Sequence, residues 1–172
     1  MAFDLPGVEP GSDPELLFKA VGFITVQWGF AEQSLDLMMA SIFHSFDGYP
    51  LLKKRPRYLE SKVKLLKKCF TKFPELQQFV AESEELLKRF LAIRKKRNDL
   101  IHGAIANIGA EAGAFKFLKV GVSPNEQHSV RLVYLRDEKW TEFRCELISL
   151  GKEGNSLVQR VNRSLDQHPC QS

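Results

Sequence analysis

Arg97, Asn98 and His102 fall within six residues of one another, at the end of a segment in which apolar residues recur with helical spacing. An imidazole, with an unperturbed pKa of ~6.5, can take or give a proton near neutrality. Arginine presents a planar fork of N–H donors that matches phosphate oxygens, and an asparagine amide can orient either neighbour. A proton-transfer group and an anion holder therefore sit in one short stretch.

Their angular position separates them from ordinary surface charge. At 100° per residue, with Leu76 set to zero, Phe79, Leu87, Phe90 and Ile101 fall within about 60° of the origin. Arg94 falls at about 0°, Arg97 at about 300°, Asn98 at about 40° and His102 at about 80°, while Lys88, Lys95 and Lys96 point away. Polar groups on such a stripe must be hydrogen-bonded or line a cleft. On an ideal helix Arg97 and His102 are about 140° apart and ~7.5 Å apart along the axis, so a single chain is expected to give a diffuse site. The same residues also read as a plain polar helix end, with His102 near the last carbonyls and Gly103 closing the helix.

The elements that must position these residues are mostly helical. Ser12-Asp13-Pro14-Glu15 sets a capping serine three residues before a glutamate, with proline at the start. Apolar positions from Leu17 through Ile24, Trp28, Leu35, Met38, Met39 and Ile42 then predict a helix from Pro14 to about Phe46. Gly22 and Gly29 each weaken it by ~1 kcal/mol relative to alanine and would permit a bend. A turn at Asp47-Gly48-Tyr49-Pro50 precedes a second helical pattern from Leu59 to Phe73, and Pro74 opens a third that reaches about His102 or Ile105. Phe115-Lys116-Phe117 and Val130-Arg131-Leu132 alternate like half-exposed strands around Ser123-Pro124-Asn125, which predicts a hairpin and a third strand near Trp140. Helical spacing returns from Phe143 to Leu165, with Thr141 as the expected cap.

The fold class expected is mainly α, an antiparallel helical bundle with a small β-hairpin insertion at 114–140 before the C-terminal helix. Residues 1–12 read as a flexible lead, 13–168 as one helical domain and 169–172 as a tail. A chain of 172 residues can bury ~70% of its unfolded surface in a single core. No basic, apolar leader and no run of membrane-spanning length is evident, so a cytoplasmic location is the expectation. Cys69, Cys145 and Cys170 are widely spaced, without a Cys-x-x-Cys or a nearby histidine pair, and neither metal nor cofactor is expected. Cys69 and Cys145 are expected to be buried small residues.

Charge is unevenly distributed. Nine Lys or Arg lie between Lys53 and Lys72 against the single acid Glu60, so that segment carries +8 and the remainder of this +4 chain carries −4. Lys64, Lys67 and Lys68 lie on consecutive turns and could follow a phosphate backbone, although such runs are often only solvated faces. Glu32, on the stripe of the first helix, is expected as a partner of Arg94 or Arg97.

The segment Arg97-Asn98-Asp99-Leu100-Ile101-His102, followed by Gly103, resembles the Arg-x4-6-His motif of HEPN domains, in which the residue after the arginine is polar. Trp28 and Glu32 on a long amphipathic helix resemble the first helix of many HEPN-like proteins, and the likeness spans roughly Pro14 to Leu165. The resemblance implies a homodimer whose two motifs meet in a cleft, serving as a metal-independent endoribonuclease with Arg97, Asn98 and His102 as catalytic residues and Glu32 and Arg94 in support. Single-stranded RNA is the implied substrate, and an antitoxin or another protein the implied partner, in a setting such as toxin–antitoxin function, phage defence or RNA processing. The alternative is a non-catalytic HEPN-like module that binds a protein or a nucleotide through the same cleft.

Overall fold

The computed structural model describes residues 14–46, 55–102, 104–108, 115–123, 126–135 and 137–167. The expected lead at 1–12, the tail at 169–172 and the turns at Asp47–Pro50 and Pro124-Asn125 lie outside them. Four α-helices dominate: α1 (Pro14–Ser45), α2 (Leu59–Lys72), α3 (Val80–Ile101) and α4 (Asp137–Gln167). Among the described residues no helix is long and apolar enough to cross a membrane.

In α1, Leu17, Ala20, Ile24, Trp28, Ala31, Leu35, Met38, Met39 and Ile42 are all buried, which is the stripe that threes and fours produce. The glycines in this helix leave it continuous from Pro14 to Ser45. α2 buries Leu59, Lys62, Val63, Leu65, Leu66, Cys69 and Phe70. It stops at Phe73, whose extended backbone is what a following proline imposes. Pro74 does not open α3 directly: Pro74–Phe79 is a 3-10 helix, entered by the Leu76 N–H donating to the Phe73 carbonyl at 3.0 Å, and α3 begins only at Val80.

After α3 the backbone forms a three-stranded antiparallel sheet in the order β1 (Ala104–Ile108), β2 (Phe115–Ser123), β3 (Glu126–Leu135). Ala104 pairs with Leu118 and Ile108 with Phe115, and Val120 of β2 pairs with Val130 of β3. The third strand is thus supplied by Ala104–Ile108, a segment whose apolar spacing is equally compatible with a longer α3. It does not come from the vicinity of Trp140, which lies in the first turns of α4. Thr141, expected as a cap, is likewise inside α4, which starts four residues earlier at Asp137.

The chain folds as two compact units. The first takes residues up to Val26 and Arg94–Glu146; the second takes Gln27–Ile93 and the residues from Leu147. α1, α3 and α4 each contribute a segment to both.

Within the second unit the helices do not all alternate in direction. Arg89 reaches Ser149 and Glu153, Glu82 meets Arg160, and Gln78 donates to Ser164 at 3.0 Å, so α3 and α4 run antiparallel. Contacts between α1 and α4 climb both helices together, Phe30 lying at Gly151 and Ser34 at Gly154. α2 also climbs with α1: Lys62 reaches Glu32 and Asp36, and the Phe46 and Phe73 rings stack at 4.1 Å. The expected antiparallel arrangement thus holds for α3 against α4 and gives way to parallel packing of α1 with α2 and α4. Trp28 and Phe90 meet edge to face at 6.0 Å, an arrangement worth ~0.5–1.5 kcal/mol beyond the area it buries.

At Gly151 and Gly154 α1 and α4 approach closely. A Cβ on Gly154 would stand 2.3 Å from Ser34 Oγ, and one on Gly151 would stand 2.9 Å from the Phe30 ring. Two glycines that weaken helix propensity are here the condition for close packing.

Candidate functional site

The last turn of α3 ends at Ile101, and the His102 N–H still donates to the Asn98 carbonyl at 3.1 Å. Leu100 packs inward and Asp99 is buried beside it, which anchors the turn; Arg97 and Asn98 are half-buried and His102 is exposed. From Arg97 one guanidinium nitrogen, Nη1, donates to Asn98 Oδ1 at 3.1 Å and lies 3.4 Å from His102 Nε2. The Arg97 Nε–H is buried with no hydrogen-bond partner among the described residues.

These distances correct the expectation of a diffuse site. The angular estimate treats side chains as radial, whereas arginine is long enough to lie along the helix and His102 stands just past its last residue. Three groups therefore converge in one chain. Arginine can only donate, so the contact requires Nε2 to accept, with the imidazole proton on Nδ1. The arrangement sets an imidazole nitrogen beside a guanidinium that retains unused donors. It also suits the C-terminal end of a helix, where positive charge is favoured.

Glu32 and Asp36 belong to the second unit. Glu32 accepts from Trp28 Nε1 and from Lys62 Nζ, each at 3.0 Å. Asp36 accepts from Lys62 at 3.0 Å and from Arg55 at 3.1 Å. Lys62 is buried on the apolar face of α2, and the two half-exposed carboxylates compensate a charge that would otherwise be costly to desolvate. Sequence reasoning grouped Lys62 with the surface cations; its position three residues after Leu59 and four before Leu66 was the available sign that it faces inward.

Arg94, at the edge of the first unit, is half-buried. Lys64, Lys67 and Lys68 are all exposed in the second unit, with Lys67 and Lys68 about one turn beyond Lys64 on α2. The structure thus brings together Arg97, Asn98 and His102, and gives Glu32 the partners Trp28 and Lys62. In the first unit Lys96 Nζ bonds Glu146 at 2.9 Å, tying the motif turn to α4. Cys69 is buried, and that burial pushes its thiol up to about 11, as suits an inert core residue. Cys145 is exposed, contrary to expectation, because it lies off the stripe of Phe143 and Leu147.

Compared with protein-family models, curated proteins and solved structures, the chain matches none.

Proposed function

We propose that this chain is a HEPN-type endoribonuclease that cleaves single-stranded RNA without a metal ion, acting as a homodimer in which two copies of the Arg97–His102 site share one cleft. The observation that carries the reading is the convergence of Arg97 Nη1, Asn98 Oδ1 and His102 Nε2 at an exposed helix end. Once the Arg97 guanidinium turns to the phosphate, the freed lone pair of His102 Nε2 takes the proton of an RNA 2′-hydroxyl. The 2′-oxygen attacks the adjacent phosphorus and the bond to the 5′-oxygen breaks. That oxygen takes a proton from the imidazolium of His102 of the partner subunit. The products are a 2′,3′-cyclic phosphate end and a 5′-hydroxyl end.

Arg97 holds the non-bridging oxygens as charge builds on them, and Asn98 fixes the direction of its fork. A symmetric dimer supplies the second imidazole, because a two-fold axis sets one patch against its own copy. In the unit that carries the motif, Phe18 and Val26 are 50% and 66% exposed, apolar surface suited to self-association.

Single-stranded RNA incubated with the protein and a chelator should yield cyclic-phosphate fragments. His102→Ala should lose most of this activity with its helical circular dichroism intact, and sedimentation at micromolar concentration should show a dimer. Equal inertness of wild type and His102→Ala across varied RNAs would return the site to the non-catalytic interaction or nucleotide-binding module.

A further inference from the structure

A second feature of the motif-bearing unit is a small cleft of about 210 Å³ between the start of α1 and the start of α4, lined by Leu16, Lys19, Ala20, Phe23, Trp140 and Arg144. It is below the ~300–1,000 Å³ of pockets that enclose drug-sized molecules, and suits one planar ring system. Its walls are aromatic. Phe23 and Trp140 meet edge to face, centroids 5.9 Å apart and planes at 79°, and both rings are half-buried, so each keeps part of its surface open.

Over those rings lies a cation. The Arg144 guanidinium stands 5.0 Å from the Phe23 centroid and 5.8 Å from that of Trp140. It has no carboxylate partner among the described residues, and Glu146, two positions on, is engaged by Lys96. Arg144 is therefore held in place by π-faces; Lys19, also at the rim, is paired with Glu15 at 3.3 Å. Aromatic faces beside a guanidinium with no carboxylate partner among the described residues are the combination that stacks an unpaired base and holds its phosphate.

We propose that this cleft binds one unpaired nucleotide of an RNA strand, with the base against Trp140 and the adjoining phosphate on Arg144. The assignment to RNA rests on the reading of the Arg97–His102 site; the chemistry of the cleft does not. Arg97 follows Lys96, which bonds Glu146 one half-turn beyond Arg144, so the cleft and the motif share α4 as a common support.

The test uses the intrinsic fluorescence of the whole protein, titrated with adenylate and with a 2′-O-methyl pentanucleotide that cannot be cleaved. Both should quench saturably, and Trp140→Phe should remove the quenching, since Trp28 is buried and its Nε1–H is bonded to Glu32. By competition, Trp140→Leu should bind the pentanucleotide about tenfold more weakly, the loss expected of one stacked base. Arg144→Gln should weaken binding and lower the salt slope by ~0.7. If Trp140→Leu does not fold, Arg144→Gln, whose side chain is exposed, carries the test alone. Tighter binding of the pentanucleotide supports the cleft and assigns it to a strand; equal binding of adenylate supports the cleft and assigns it to a free nucleotide. Quenching with Arg144 dependence in a protein that cuts no RNA keeps the cleft and removes the nuclease reading. No saturable quenching at millimolar ligand, or quenching that survives in Trp140→Phe, overturns the proposal even where cleavage is active.

Discussion

Arg97 Nη1 approaches His102 Nε2 to 3.4 Å within one chain, although they lie five positions apart on a helix that ends between them. If that guanidinium serves the phosphate, Arg97→Gln should lower kcat by about 10²–10³-fold, the usual loss of one donor to a developing oxyanion. Arg97→Lys should rescue little, because an ammonium lacks the fork that reaches two acceptors. Asn98→Ala should cost less than either. Single-turnover rates with the helical spectrum as a control decide it, and a wild-type rate for Arg97→Gln would remove arginine from the chemistry.

The exposed cations of α2 give a separate expectation. Neutralising Lys64, Lys67 and Lys68 together should weaken RNA binding and reduce the logarithmic salt slope by roughly two units, ~0.7 for each phosphate no longer held. Cleavage of bound RNA should change much less, since these residues position the strand and move no proton. An unchanged slope in a salt series would make α2 an ordinary solvated face.

Lys62 should behave unlike its neighbours. Lys62→Met removes the cation that Glu32 and Asp36 share, leaving Asp36 only the exposed Arg55, and should destabilise the fold by ~1–3 kcal/mol. Lys64→Met, two residues on and exposed, should stay within ~0.5 kcal/mol of wild type. Denaturant titration of the two variants side by side measures the contrast, and equal midpoints would show that the buried ammonium contributes nothing.

Two alanine substitutions test the α1–α4 approach. Gly154→Ala gains helix propensity of ~1 kcal/mol, yet its Cβ would collide with Ser34 Oγ, so a net loss of ~1–3 kcal/mol is expected. Gly151→Ala should be milder, because the Phe30 ring it meets is 49% exposed and can turn aside. Thermal melts that rank the two in the opposite order would refute the packing argument.

The helices were legible because burial follows spacing: α1 ends within a residue of the expected boundary, and α2 stops where Pro74 requires. The 3-10 turn was not, since Leu76 and Phe79 keep a spacing that an α-helix and a 3-10 helix share. Trp140 sits beside strand-forming residues and has strand propensity itself, so placing it in a strand was the natural misreading, and it hid the pairing of Trp140 with Arg144 one turn later. The motif triad was visible as residue types, but its convergence depends on where α3 stops and how far an arginine reaches. Helix directions were the least accessible, because apolar spacing shows which face of a helix is buried and not which way its neighbour runs.

Lys62 has a further consequence for how α2 finds its place. Leucine, valine and phenylalanine side chains along α2 would tolerate sliding against α1 by one turn, ~5.4 Å, with little change in the apolar area covered. The ammonium would not, because such a slide would strip it of both carboxylates and leave it against hydrocarbon. A link made across 26 and 30 positions of sequence thus acts as an index mark, selecting one alignment of two helices from several that oil-like packing alone would accept.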